Sequence, residues 1–192
     1  MRILTMRLLA AFLGAAVTLG FVPAAVAQAK TPSVAQVVAL DECDPATFNA
    51  ALGPDFCKNV ALAALGYATT LTDLFTKAGA GTPDPGWDFE PDTVRIKEGT
   101  ILTVVDQGGE PHTFTEVAKF GGGFIADLNH GEDTVPECAG GFKNVAVAKT
   151  RILQGSQTQV TNLSKGEHLF ECCIHPWMRV KVEVKGGDES VK

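Results

Sequence analysis

Apolar and polar residues alternate along much of the C-terminal half of the chain. Val94 and Ile96 alternate with Arg95 and Lys97, Gly99 marks a turn, and the β-branched run 101–105 is ended by Asp106-Gln107-Gly108-Gly109. A period of two places one set of side chains on a buried face, so these segments are predicted strands. Residues 113–117, 158–160, 168–173 and 180–184 continue the same texture. Many short strands separated by turn signals over residues 87–186 predict a mainly β domain, a sandwich or a barrel. Between 120 and 141 the pattern lapses into a glycine-rich stretch. Its Gly121-Gly122-Gly123 lacks the Gly-Lys-Ser/Thr ending of a phosphate-binding loop, so it reads as an ordinary loop.

The N-terminal half has a different rhythm. Residues 31–81 read as helical, with Asp44-Pro45 as an N-cap and first helical residue ahead of Phe48, Ala51 and Leu52. A second short helix is predicted to carry Phe56, Val60, Leu62 and Leu65, and a third to begin near Thr70 with Leu71, Leu74 and Phe75. Three short helices bury little by themselves, so 28–86 is expected to be a helical extension packed on the β domain. Two prolines and two glycines within 81–86 make that segment a linker. Residues 1–27 open with Arg2 and Arg7, pass through an apolar run, and end in Ala25-Val26-Ala27, the pattern of a secretory signal peptide. The apolar run is about 15 residues, short of the roughly 20 that span a bilayer, so no membrane insertion is expected once the signal is cleaved. Residues 187–192 are expected to form a flexible tail.

Composition changes this picture in two ways. Without residues 1–27 the chain has 14 Lys and Arg against 22 Asp and Glu, a formal charge of −8, which argues against a nucleic-acid partner. An acidic surface suits a basic partner, and equally suits plain solubility. Export means an oxidising compartment, periplasmic or extracellular, where cysteines pair; the five here form an odd set, so at least one has another task. Cys43 and Cys57 are expected to join across the helical extension, since they lack the C-x-x-C spacing of a redox dithiol.

The densest chemistry lies in Cys172-Cys173-Ile174-His175-Pro176-Trp177-Met178, where a thiolate, an imidazole and a thioether fall close together. Two His, one Cys and a weak axial Met make a copper site, with soft sulfur suiting Cu(I) and imidazole suiting Cu(II). The second imidazole is expected from His112, just after a turn between two β-rich runs. Met1 and Met6 belong to the signal segment, so Met178 is the one methionine of the exported chain. His168 precedes Cys172 by four residues on the same predicted strand, about 13 Å away at about 3.3 Å per residue, and cannot share its metal. His130 reads as a surface residue. Zinc remains an alternative for one Cys and two His, although the Met argues against it.

The run from Phe170 to Val182 resembles the C-terminal ligand loop of the cupredoxins, the blue type 1 copper proteins. Its Cys-x2-His-x2-Met spacing is similar to the short loop of the amicyanin and plastocyanin kind, and Glu110-Pro111-His112-Thr113-Phe114-Thr115 resembles the family's first-histidine motif. The resemblance covers residues 87–186. It implies a Greek-key β-sandwich with one Cu(I)/Cu(II) ion per chain, held by His112, Cys172 and His175 with Met178 as the axial ligand. It implies electron transfer with a redox partner such as a cytochrome or an oxidoreductase, and no enzymatic activity. Cys172 is the expected ligand because Cys173 leaves a single residue before His175. Cys173 then points to the opposite side, which leaves two readings open, a pair with Cys138 or a free buried thiol. Thr113 stands where several members carry Asn, which leaves the hydrogen bonding of the thiolate open. The long stretch from His112 to Cys172 implies an inserted loop near the site. The edge of His175, with Pro176 and Trp177, is expected to form an apolar docking patch. A copper storage or delivery protein is the rival reading. A copper enzyme is a weaker one, since its ligand Cys would have a His beside it.

Overall fold

The alternating run from Arg179 to Lys185 forms a strand whose three valines are buried while the charged residues between them stay partly exposed. This computed structural model describes residues 33–187. The signal segment 1–27 and the tail from 188 onward lie outside the described residues. The strands are β1 (Val34–Leu40), β2 (Asp88–Glu90), β3 (Thr93–Lys97), β4 (Ile101–Asp106), β5 (His112–Thr113), β6 (Thr115–Val117), β7 (Arg151–Ile152), β8 (Gln157–Val160), β9 (Gly166–Glu171) and β10 (Arg179–Lys185). The helices are α1 (Pro45–Leu52), α2 (Val60–Leu65), α3 (Leu71–Gly79) and α4 (Val145–Lys149).

Two four-stranded sheets, ordered β2-β1-β4-β8 and β3-β10-β9-β6, and a short β5-β7 ribbon make the molecule mainly β. The core between the sheets contains Val37, Phe89, Leu102 and Val104 from one sheet and Ile96, Phe170, Val180 and Val182 from the other. Each such side chain contributes roughly 1.5–3 kcal/mol on burial.

One segment departs from the sequence reading. Residues 34–40, expected to be helical, form β1, which lies between β2 and β4 and pairs in parallel with β4 from Val34↔Ile101 to Ala39↔Asp106. Helix propensity is a weak preference, and here it loses to burial of Val37 and Ala39 and to the ladder that β4 supplies. The stretch expected to be an appendage therefore contributes an interior strand.

The helices follow their sequence signals more closely. The Asp44 carboxylate accepts from the N–H groups of Ala46 and Thr47, with Pro45 at the start of α1, and Thr70 caps α3 through the N–H of Asp73. The α2 helix buries no side chain and leaves Val60 and Leu65 exposed. Cys43 and Cys57 are disulfide-bonded across this region, as are Cys138 and Cys173, which leaves Cys172 as the free cysteine. The 81–86 linker is pinned at Asp84, whose carboxylate accepts from Lys77 Nζ at 2.6 Å, Thr69 Oγ1 at 2.8 Å and the Gly86 N–H at 3.0 Å.

Candidate metal centre

The ligand loop begins where β9 ends. Its backbone closes on itself, the Cys172 N–H donating to Met178 O at 3.1 Å and the Met178 N–H to His175 O at 3.0 Å. His112 enters from β5, held by its pairing with Ile152 of β7. The structure thereby gathers one donor atom from each of His112, Cys172 and His175 within 4.8 Å of one another. Cys172 Sγ stands 3.9 Å from His112 Nδ1 and 3.9 Å from His175 Nδ1. Met178 is fully buried and tied to this cluster through its backbone. His112 and Cys172 are likewise 0 % exposed, and His175 only 2 %.

The spacing suits an ion. Metal bonds of about 2.0–2.3 Å to N and S allow two donors to stand up to about 4.3 Å apart, and 3.9 Å falls inside that limit. A thiolate, two imidazoles and a buried thioether nearby are the donor chemistry that copper prefers.

Electrostatics prepare the thiol. Burial pushes Cys172 up, but hydrogen bonding and charge from His112 and His175 outweigh it and hold the thiol well below its usual range. Burial pushes His112 down, yet Asp41 and Cys172 hold it well above normal. The Thr113 N–H also points at Cys172 Sγ, at 3.4 Å, and the Thr113 hydroxyl accepts from the Cys173 N–H at 2.7 Å. Backbone thus supplies the thiolate's donor, the point that Thr113 left open in the sequence.

Asp41, at the end of β1, was not singled out from sequence because its strand was read as helix. Its Oδ2 stands 3.1 Å from His112 Nε2 and accepts from the Glu110 N–H at 3.0 Å, while Oδ1 accepts from Asn59 Nδ2 at 2.7 Å. Burial pushes Asp41 up, and these bonds, led by His112, bring it below the usual carboxylate range. Glu110, quoted only as part of the histidine motif, is buried with Oε1 at 3.6 Å from His175 Nε2 and bonded to Trp87 Nε1. Desolvation raises it. Asp106 also converges on His112 with Asp41; burial lifts its carboxyl to about 7, and its Oδ2 has no partner among the described residues.

The other histidines stay apart from the cluster. His168 contacts Glu116 Oε1 at 2.6 Å and Ser164 O at 2.8 Å, and His130 is exposed, its Nδ1 at 3.0 Å from Gly79 O. The stretch between the first histidine and Cys172 includes two short 3-10 turns and α4, and the Cys138–Cys173 disulfide fastens it beside the site. The His175 edge expected at the surface is covered. Trp87 and Trp177 lie 6.2 and 5.5 Å from its ring by centroid, Glu110 sits at its far nitrogen, and Pro176 is itself buried. Trp177 remains partly exposed and donates through Nε1 to Trp87 O at 3.2 Å.

No protein family and no curated protein matches the chain. Among solved structures, a reduced amicyanin variant is similar over 51% of this chain and 73% of its own, with 20% identity and a TM-score of 0.34. A Cu(I) form of another amicyanin variant matches over the same shares with 19% identity and a TM-score of 0.34. The functional reading of the chain therefore rests on the donor geometry.

Proposed function

We propose that this chain is an exported, mononuclear type 1 copper protein of the Greek-key cupredoxin class that carries single electrons between redox partners, one of them a protein such as a cytochrome. The observation that carries the reading is Cys172 Sγ placed equally, at 3.9 Å, from the Nδ1 atoms of His112 and His175 in a buried pocket. His112, Cys172 and His175 would hold the ion, with Met178 as the weak fourth ligand. Copper would supply a one-electron couple between Cu(I) and Cu(II).

The chain's own residues do the rest. The Thr113 N–H and the two imidazoles favour the thiolate, Asp41 orients His112, and burial keeps water from the donors. Donors fixed by two strands and a closed loop have little room to move on reduction, which favours fast transfer. The same burial favours retention of the metal over handing it on, and so a carrier over a delivery protein.

The test is the visible absorption spectrum of the Cu(II)-loaded protein beside that of Cys172→Ser. A strong thiolate-to-copper band near about 600 nm, absent from the variant, is the expected result. A colourless protein, or a variant with the same band, would overturn the ligand set. Chelator competition adds the second arm: a carrier keeps copper through redox cycles, and ready release of Cu(I) to an acceptor would favour delivery instead.

A further inference from the structure

Helices α1 and α3, the 120–142 segment and the ligand loop border a cavity of about 220 Å³ at His175. Phe48, Leu74, Phe124 and Ile174 are among its apolar walls, and Glu110 and His175 are the two residues with polar side chains that line it. An apolar cavity of about 150 Å³ walled by Leu, Ile and Phe stays dry and takes up benzene. The space here therefore suits one aromatic ring with a small substituent.

Glu110 determines what that substituent is. Its side chain is 2 % exposed, and among the described residues it makes one hydrogen bond, accepting at Oε1 from Trp87 Nε1. His175 Nε2, at 3.6 Å, is too far to be a second donor. A carboxyl group has room for more than one donor, so Glu110 keeps acceptor capacity in the cavity that it lines. A cation or an anion would have to leave water for hydrocarbon walls. A neutral ring bearing one O–H suits both the walls and the Glu110 carboxyl group.

We propose that this cavity is a binding site for a small neutral phenol whose hydroxyl donates to Glu110 and whose ring fills the apolar space beside His175. The ring would then neighbour a copper ligand, and in that respect the inference rests on the copper reading; the binding itself does not.

Phenol is titrated into the protein as purified and again after chelator treatment, with benzene as the ring that lacks a donor. Binding is followed by NMR at the methyl groups of Leu74 and Ile174. Saturable shifts at both residues are expected, with phenol at least about tenfold tighter than benzene. Glu110→Leu, which has no acceptor, should remove most of that preference while leaving benzene binding in place, which also reports that the variant is folded. Leu71→Trp, at a partly exposed edge of the cavity, should block both ligands. The proposal is overturned if those methyls show no saturable shift, if the two ligands bind equally, or if Glu110→Leu keeps the preference. A failed copper spectrum would sink the metal reading alone, because the chelator-treated titration contains no metal.

Discussion

At the scale of single residues, each imidazole of the centre has a buried carboxylate at its far nitrogen. Asp41 stands at 3.1 Å from His112 Nε2 and Glu110 at 3.6 Å from His175 Nε2, so the first is a hydrogen bond and the second a close contact. A carboxylate on Nε2 holds the proton there and leaves the Nδ1 lone pair for the ion. Asp41→Asn is therefore expected to weaken metal affinity by about 10–100-fold, the usual effect of removing such a partner. Competition against a chelator of known affinity measures it. An unchanged affinity would mean that packing alone orients His112.

At the scale of elements, β9 determines which way the adjacent cysteines point. Just beyond its end, Cys172 turns to the donors and Cys173 to Cys138, as alternation demands. The same strand carries a pH-sensitive link to β6 through His168 and Glu116. Partial burial lowers His168, but hydrogen bonding to Glu116 and Ser164 O outweighs it and raises the imidazole above its usual value. Because folding favours the protonated form, the link stabilises fully below about pH 6.5, and the contribution is lost as pH rises through the higher folded value. Urea midpoints of the wild type and His168→Gln should differ at pH 6 and converge by pH 9. The difference is expected to be small, since Glu116 is half exposed and exposed pairs contribute about 0–1 kcal/mol. A gap that persists at pH 9 would assign the effect to packing instead.

At the scale of the whole molecule, the helical region covers the site. The stacked rings of Phe48 and Trp87 lie beside His175, and Trp87 also reaches Glu110. The Cys43–Cys57 bond, with 14 residues of separation, fastens this cover next to Asp41, whose Oδ1 accepts from the Cys43 N–H. Replacing both cysteines with Ala should cost about 2–4 kcal/mol of stability, read from denaturant unfolding. Under the proposed copper function it should also speed loss of the metal to a chelator, because the cover then opens more often. Stability that falls with no change in release would show that the metal leaves by another path.

Much of this organisation could be read from local pattern. The alternation in 94–105 and 180–184, the Asp44 cap, the helix start near Thr70, the Cys43–Cys57 disulfide, and the meeting of His112 with Cys172 and His175 were all expected from the sequence, because each depends on short-range chemistry or on a compact motif. Tertiary structure alone decided three things. The segment 34–40 became a strand because β4 offered a ladder that no local signal announces. Asp41 became the partner of His112 because that strand ends beside a residue 71 positions away in the chain. His175 lost its expected surface edge because Trp87, Trp177 and Glu110 pack around its ring. Contacts between residues far apart in sequence leave no trace in periodicity, and only the folded chain brings them together.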